Sequence, residues 1–330
     1  METLLFALSF VVILAGALLF TNATEWLGRK LNLGQGAVGS ILAAVGTAMP
    51  ETLIPIVAII GGGPEAEGVA VGAIIGAPFL LATLAMAIIG ISAHAWRNRR
   101  KTGLRLDAHI ETLDRDLNFF GASFALGLLA GLILPEALHV PAAVLFFAAY
   151  MVYARATLRR GGDVQEEHEI GRLYFDPTPG TEPPVALIVF QFASGLAAIV
   201  LGAHLFVEEM IEVASHIGIE PLVLSLILAP LATELPEKIN SIFWIREGKD
   251  SLALGNVTGA MVFQSTIPIS VGLLLTSWDL THYSIVSGVL GLLGGGLAYW
   301  TLRLRGRFEW GPVVVWTALF FAFVGYVGFA

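Results

Sequence analysis

The chain is 330 residues long, 56% hydrophobic and 13% charged, with a formal net charge of −8 and no cysteine. A soluble domain carries about 25% charged residues, so this composition, with a mean hydropathy of +0.79, excludes a soluble globular protein and reads as a membrane protein. The lack of cysteine excludes disulfides and thiolate chemistry.

The first apolar run, Leu4 to Phe20, lacks the basic leader and small-residue cleavage site of a signal peptide and reads as a retained span. A span needs about 17–25 mostly apolar residues. Ten such segments follow in order: 3–22, 35–60, 68–93, 118–135, 139–158, 184–208, 220–244, 252–276, 281–302 and 311–329. The expected fold is therefore an all-α integral membrane protein with ten transmembrane helices. The third and fourth spans are joined by "HAWRNRRKTGLRLDAHIETLDRD", and the fourth and fifth meet in a tight turn at Pro135 and Glu136. The polar stretch before Pro184 is the natural linker between halves, giving units of 1–160 and 184–330 around a linker of 161–183.

Basic residues set the orientation, because Lys and Arg stay on the cytoplasmic side. Arg29 and Lys30, then Arg97 to Arg115, Arg155 to Arg172, Arg246 and Lys249, and Arg303 to Arg307 fall in alternate loops on one side. The opposite loops "GGGPEAEG", "PEALH" and "SWDLTH" carry none. Both termini should face away from the cytoplasm, with the linker inside, in a multi-pass protein of the plasma (inner) membrane. These basic loops follow from topology and imply no nucleic-acid partner. The basic residue outside the scheme is Lys238, within the seventh span.

The chain repeats itself. At an offset of 186 positions Gly16 meets Gly202, Leu19 meets Leu205, Phe20 meets Phe206, Thr47 meets Thr233, Pro50 meets Pro236 and Glu51 meets Glu237. Past a slightly longer loop, "GAIIGAPFL" (Gly72 to Leu80) meets "GNVTGAMVF" (Gly255 to Phe263). Five spans per half is an odd number, so the second half must be inverted relative to the first. Inverted repeats with helices interrupted near the midplane are a common build of secondary transporters.

In both halves a proline and a glutamate interrupt an apolar run. Proline removes a backbone donor, and irregular backbone at membrane depth is tolerated where it is buried or lines a cavity. A charge at the bilayer centre costs about 2.5–3.5 kcal/mol on insertion scales, so two acids at matched positions imply a cationic partner. The candidate ligands are the carboxylates of Glu51, Glu234 and Glu237, the hydroxyls of Thr47 and Thr233, Gln264 and freed carbonyls. All are oxygen, which suits hard cations such as Ca²⁺, Na⁺ or Mg²⁺; no histidine or cysteine cluster points to zinc or copper. Glu234 precedes Lys238 by four residues, the favourable order for a helical ion pair. This is either a structural pair or a tethered charge in place of a cation site. Asn256 and Ser241 lie near the site as further polar groups. His204, in span six, is expected to donate between helices. Glu208, Glu209 and Glu212 are expected at a solvated outer end of the same span.

These motifs resemble the two alpha repeats of the sodium/calcium exchanger family, in the cation/Ca²⁺ antiporter superfamily. The family pattern is G-T-S-x-P-E on spans two and seven, and G-N-x-x-G-S-N-x-x-[N/D] on spans three and eight. Here the first reads Gly46, Thr47, Ala48, Met49, Pro50, Glu51, and the second Ala232, Thr233, Glu234, Leu235, Pro236, Glu237. Span eight keeps Gly255, Asn256 and Gly259. The resemblance implies that Glu51 and Glu237 bind Ca²⁺ and that Thr47 and Thr233 line the ion sites. The chain departs from the pattern at Ala48 and Glu234, at Ala77 and Leu81 of span three, and at Ala260 and Gln264 of span eight. The implied function is Ca²⁺ exchanged for Na⁺ by alternating access, with H⁺ as the other counter-ion. No enzymatic activity or resident cofactor is implied, and the partners are inorganic cations and the lipid bilayer. An intramembrane protease with paired acids and a non-transporting ion sensor are the rival classes.

Overall fold

The structure, a computed structural model, describes residues 2–30, 49–160, 171–176 and 182–328. Among them every extended regular element is a helix. In chain order these are α1 (Glu2–Lys30), α2 (Met49–Gly61), α3 (Pro64–Leu80), α4 (Met86–Ala95), α5 (Ile110–Ile133) and α6 (His139–Arg160). Then follow α7 (Val185–Ile217), α8 (Pro221–Glu247), α9 (Asp250–Gln264), α10 (Ile267–Leu275), α11 (His282–Tyr299) and α12 (Trp310–Gly328). One wide π-helical turn, Leu81–Ala85, joins α3 to α4.

Among the described residues, eight helical stretches are long and apolar enough to cross a membrane: Leu4–Lys30, Pro64–Ala95, Ile110–Ile133, Glu136–Thr157, Val185–Ile217, Asp250–Leu275, His282–Arg305 and Trp310–Gly328. Two shorter apolar helices, Pro50–Gly61 and Pro221–Glu234, fall in the second and seventh expected spans. The second is short because its first part lies outside the described residues. The seventh is short because Glu234, Glu237 and Lys238 end its apolar stretch within a longer helix. α7 outlasts its apolar run of 184–208. Glutamate is a good helix former, and Met210 and Ala214, four apart, keep one face fully buried. The helix stops at Gly218, whose left-handed φ of 72° supplies the C-terminal cap.

The interruption expected at Pro236 does not break the helix: α8 runs unbroken through Pro230 and Pro236. A proline lacks an N–H, so the carbonyls of Leu226 and Ala232, four residues earlier, have no helical donor. The helix holds because neighbours enclose it. A Cβ on Gly76 of α3 would lie 2.1 Å from the Leu226 oxygen, and one on Gly72 would lie 2.3 Å from the Leu222 oxygen. Only glycine lets the α3 backbone come this close, and the approach covers the carbonyl that Pro230 leaves without a donor.

α1 and α7 meet in the same manner. A Cβ on Gly16 would meet the Ile199 nitrogen at 2.8 Å, and one on Gly202 the Ile13 nitrogen at 2.9 Å. Phe20 packs on Phe192 (ring centroids 4.5 Å apart) and Phe206 on Phe6 (5.5 Å). Thr83 donates to the Phe79 carbonyl at 2.6 Å, and Thr266 to that of Val262 at 2.8 Å, each at an irregular turn. α2 packs on α3 within the first half; the other extensive helix contacts, of α1 and α2 with α7, α3 with α8 and α11, α5 with α9 and α11, and α6 with α10, each join a helix up to residue 160 to one after residue 184. The central core, including Ile74, Phe79, Leu226, Ile269 and Trp278, is built from both.

Basic loops close one end. The Arg100 guanidinium, fully buried, grips both oxygens of Asp250 at 2.6 and 2.7 Å and donates to the Ile245 carbonyl at 2.9 Å. Leu106 donates to the Gly306 carbonyl and Phe308 to that of Leu104, so the loops after α4 and α11 lie side by side.

Candidate ion site

The second half of α8 buries Glu234, Lys238 and Ser241. Glu234 and Lys238, one turn apart, pair at 3.0 Å between Oε2 and Nζ, and each is only 1% exposed. Two residues of α9 complete the group. Gln264 Nε2 donates to Glu234 Oε1 at 3.0 Å, and Lys238 Nζ donates to Asn256 Oδ1 at 3.3 Å. Gln264 is itself 1% exposed, and its Oε1 has no hydrogen-bond partner among the described residues. The structure thus joins four sequence-derived candidates: Glu234, Lys238, Asn256 and Gln264.

Glu51 is 6% exposed and sits in the first turn of α2. Pro55, one turn on, has no N–H to give the Glu51 carbonyl. Thr233 is buried, but its hydroxyl donates back to the Ala229 carbonyl at 3.2 Å, an internal helix bond rather than a convergent ligand. Ser241 is buried and its Oγ has no hydrogen-bond partner among the described residues, so it does not join the Lys238 group. Thr47 lies outside the described residues. The backbone of Glu237 lies in α8, one residue before Lys238, and its side chain lies outside the described residues. Among the described residues, no three His, Cys, Asp or Glu side chains converge into a metal-binding group.

Ala77 of α3 and Leu81 of the π-helical turn after it are both buried and apolar. The first side-chain oxygen after them, on Thr83, is already spent on the Phe79 carbonyl. On α7 the expectation for His204 fails. It is exposed and lies 3.3 Å from Glu208 on its own helix, because that face points away from the bundle. Glu208 and Glu212 are exposed as expected, whereas Glu209 is 8% exposed and turned inward.

One buried acid was not singled out from the sequence. Asp116 of α5 accepts from the Tyr153 hydroxyl of α6 at 2.5 Å, Thr258 of α9 at 2.9 Å and Arg115 at 3.1 Å. It stands at the end of a charged stretch that reads as loop, and its partners are 37 and 142 residues away. Thr258, inside the G-N-V-T-G run, was the available signal.

The sequence matches the sodium/calcium exchanger protein family over residues 1–158 and 187–329. A relative, the sodium/calcium exchanger MaX1 of Methanosarcina acetivorans, is 28% identical over 282 residues, covering 78% of this chain and 79% of its own. Among solved structures, the H⁺/Ca²⁺ exchanger CAX superposes with a TM-score of 0.75 at 20% identity, over 98% of this chain and 80% of its own. The sodium-calcium exchanger NCX_Mj superposes with a TM-score of 0.60 at 20% identity, over 98% of both chains. At that identity the two structures carry the fold alone, and the match along nearly the whole sequence carries the membership: the chain belongs to the sodium/calcium exchanger protein family.

Proposed function

We propose that the chain is a secondary antiporter that carries Ca²⁺ through a central site held by Glu51 and Glu237, with ten spans arranged as two inverted repeats. The duplicated contacts support the inverted repeat. Gly16–Ile199 and Ile13–Gly202 exchange under the 186-residue offset, as do Phe20–Phe192 and Phe206–Phe6. Thr83 and Thr266 make the same bond at an offset of 183. A two-fold relation between halves predicts such reciprocity.

The observation that carries the function is Glu51, an acid 6% exposed within an apolar helix, with a repeat mate at Glu237. Lys238 pairs with Glu234, and Glu51 and Glu237 are the acids that the repeat duplicates. Oxygen ligands suit Ca²⁺. The relative MaX1, named a sodium/calcium exchanger, supports Na⁺ as the counter-ion. A second reading, H⁺ as counter-ion, is favoured by the apolar Ala77 and Leu81 and by the engagement of Gln264 with Glu234, which thin the oxygens for Na⁺. Gln264 Oε1, buried and without a hydrogen-bond partner among the described residues, is a further oxygen for the ion in either case. The basic loops gathered at one end support a cytoplasmic face there, and with it a plasma-membrane protein with both termini outside.

The test is Ca²⁺ uptake into proteoliposomes under an imposed Na⁺ gradient and then under a pH gradient. Uptake driven by one gradient and not the other identifies the counter-ion. No uptake under either, with Ca²⁺ still binding, would leave the non-transporting sensor.

A further inference from the structure

We infer that Lys238 Nζ is a resident cation: a tethered ammonium filling a monovalent-cation site built from Glu234 Oε2 and Asn256 Oδ1, in place of one mobile ion. The inference rests on the antiporter reading for its consequence in transport, and on geometry alone for the site itself.

The ammonium has the surroundings of a bound ion. A carboxylate oxygen lies 3.0 Å away on α8 and an amide oxygen 3.3 Å away on α9. The carboxylate does not depend on the lysine for its position, because Gln264 fixes its other oxygen at 3.0 Å. The free Gln264 Oε1 is a further buried acceptor on the same amide group. Two helices therefore present a pre-formed oxygen cradle, and the lysine reaches into it from the turn that carries Glu237. Lysine is a compact point charge on a flexible stem, which suits it to stand in for a monovalent ion. Its burial makes the charge permanent company for Glu234, since a buried carboxylate without a cation costs several kcal/mol. With the ammonium in place, Glu234 recruits no mobile cation. With it gone, the cradle is open to one.

The experiment uses the full chain and two variants, Lys238→Ala and the double change Glu234→Gln with Lys238→Ala. The alanine variant lacks the atoms from Cγ to Nζ, the outline of n-propylammonium. Thermal unfolding is followed against n-propylammonium chloride, with choline chloride at equal ionic strength as reference. A ligand that binds the folded state raises the melting temperature in a saturable way. Lys238→Ala should show that rise, and the unaltered protein and the double variant should not. In vesicles, Lys238→Ala should move one more monovalent cation per Ca²⁺ than the unaltered protein, read as a change of one elementary charge in the reversal potential.

A Lys238→Ala protein whose melting ignores n-propylammonium, Na⁺ and Li⁺ to the same degree as the double variant overturns the inference. So does an unchanged charge per Ca²⁺. If Lys238→Ala is recovered folded only with n-propylammonium present, the site is supported. If no salt recovers it while the double variant folds, the pair is structural and the inference fails. Absence of Ca²⁺ transport by the unaltered protein would sink the antiporter reading, while the melting titration would still decide the site.

Discussion

Glu234 and Glu51 are both buried acids, but different groups surround them. Glu234 is met by the Lys238 ammonium and the Gln264 amide, whereas Glu51 lies one turn before Pro55, which offers no N–H to the Glu51 carbonyl. Glu51→Gln and Glu237→Gln are each expected to abolish Ca²⁺ flux while the protein stays folded, since Gln keeps the size and removes the charge. Transport measured beside the melting temperature decides this, and near-normal flux would mean that the acids are structural. Arg100 is a different case. Truncating it to alanine leaves Asp250 buried without its cation, at a cost of about 3–5 kcal/mol. The double change Arg100→Met with Asp250→Leu should recover much of that loss in an unfolding titration. Tyr153→Phe removes one of the bonds to Asp116 and should cost about 1.5–3 kcal/mol. The Glu234–Lys238 pair was legible because four-residue spacing on a helix is local. Arg100 was not, because "RNRRK" presents alike residues and only the fold selects the one that is buried. Asp116 was hidden for the related reason that its α6 and α9 partners are distant in sequence.

Among the elements, α8 departs most from its sequence. Two prolines and a buried charge group predict an interruption, yet the helix is continuous. The local rule counts the lost donor and misses the α3 backbone that encloses the freed carbonyl. Gly76→Ala tests this account. Its Cβ would fall 2.1 Å from the Leu226 oxygen, and relieving that overlap should cost about 1–3 kcal/mol. Gly121→Ala on α5, where nothing described lies within 4 Å, should instead stabilise by about 0.5–1 kcal/mol. Equal effects in parallel unfolding titrations would argue against close α3–α8 contact. At the end of α1, the hydrogen bond from Lys30 and its charge hold the exposed Glu182 carboxyl below the usual range. The lowered folded value means that this tie is present at neutral pH and is lost as pH falls through it. Lys30→Met should return the titration of Glu182 to the ordinary range.

For the whole molecule, the positions of nearly all the membrane helices could be read from apolar length, because the bilayer sets that length. The ends of α1 and α7 could not, since helices extend past the apolar run wherever one face stays buried. Orientation is tested by single cysteines at 161–170, clean because the chain has none of its own. Labelling should occur from the cytoplasmic side alone. The pairing of helices across the linker has another outcome. α1 lies on α7, α3 on α8, α5 on α9 and α11, and α6 on α10, so each half alone would leave its packing faces against lipid. Two separate polypeptides, cut within 161–170, should therefore reconstitute one protein when produced together. Either fragment produced alone should be degraded, and co-purification of a tagged fragment with its untagged mate would register the assembly. The peptide bond across the linker is then a convenience of synthesis, and cohesion belongs to surfaces that the two fragments would find by diffusion in the plane of the bilayer.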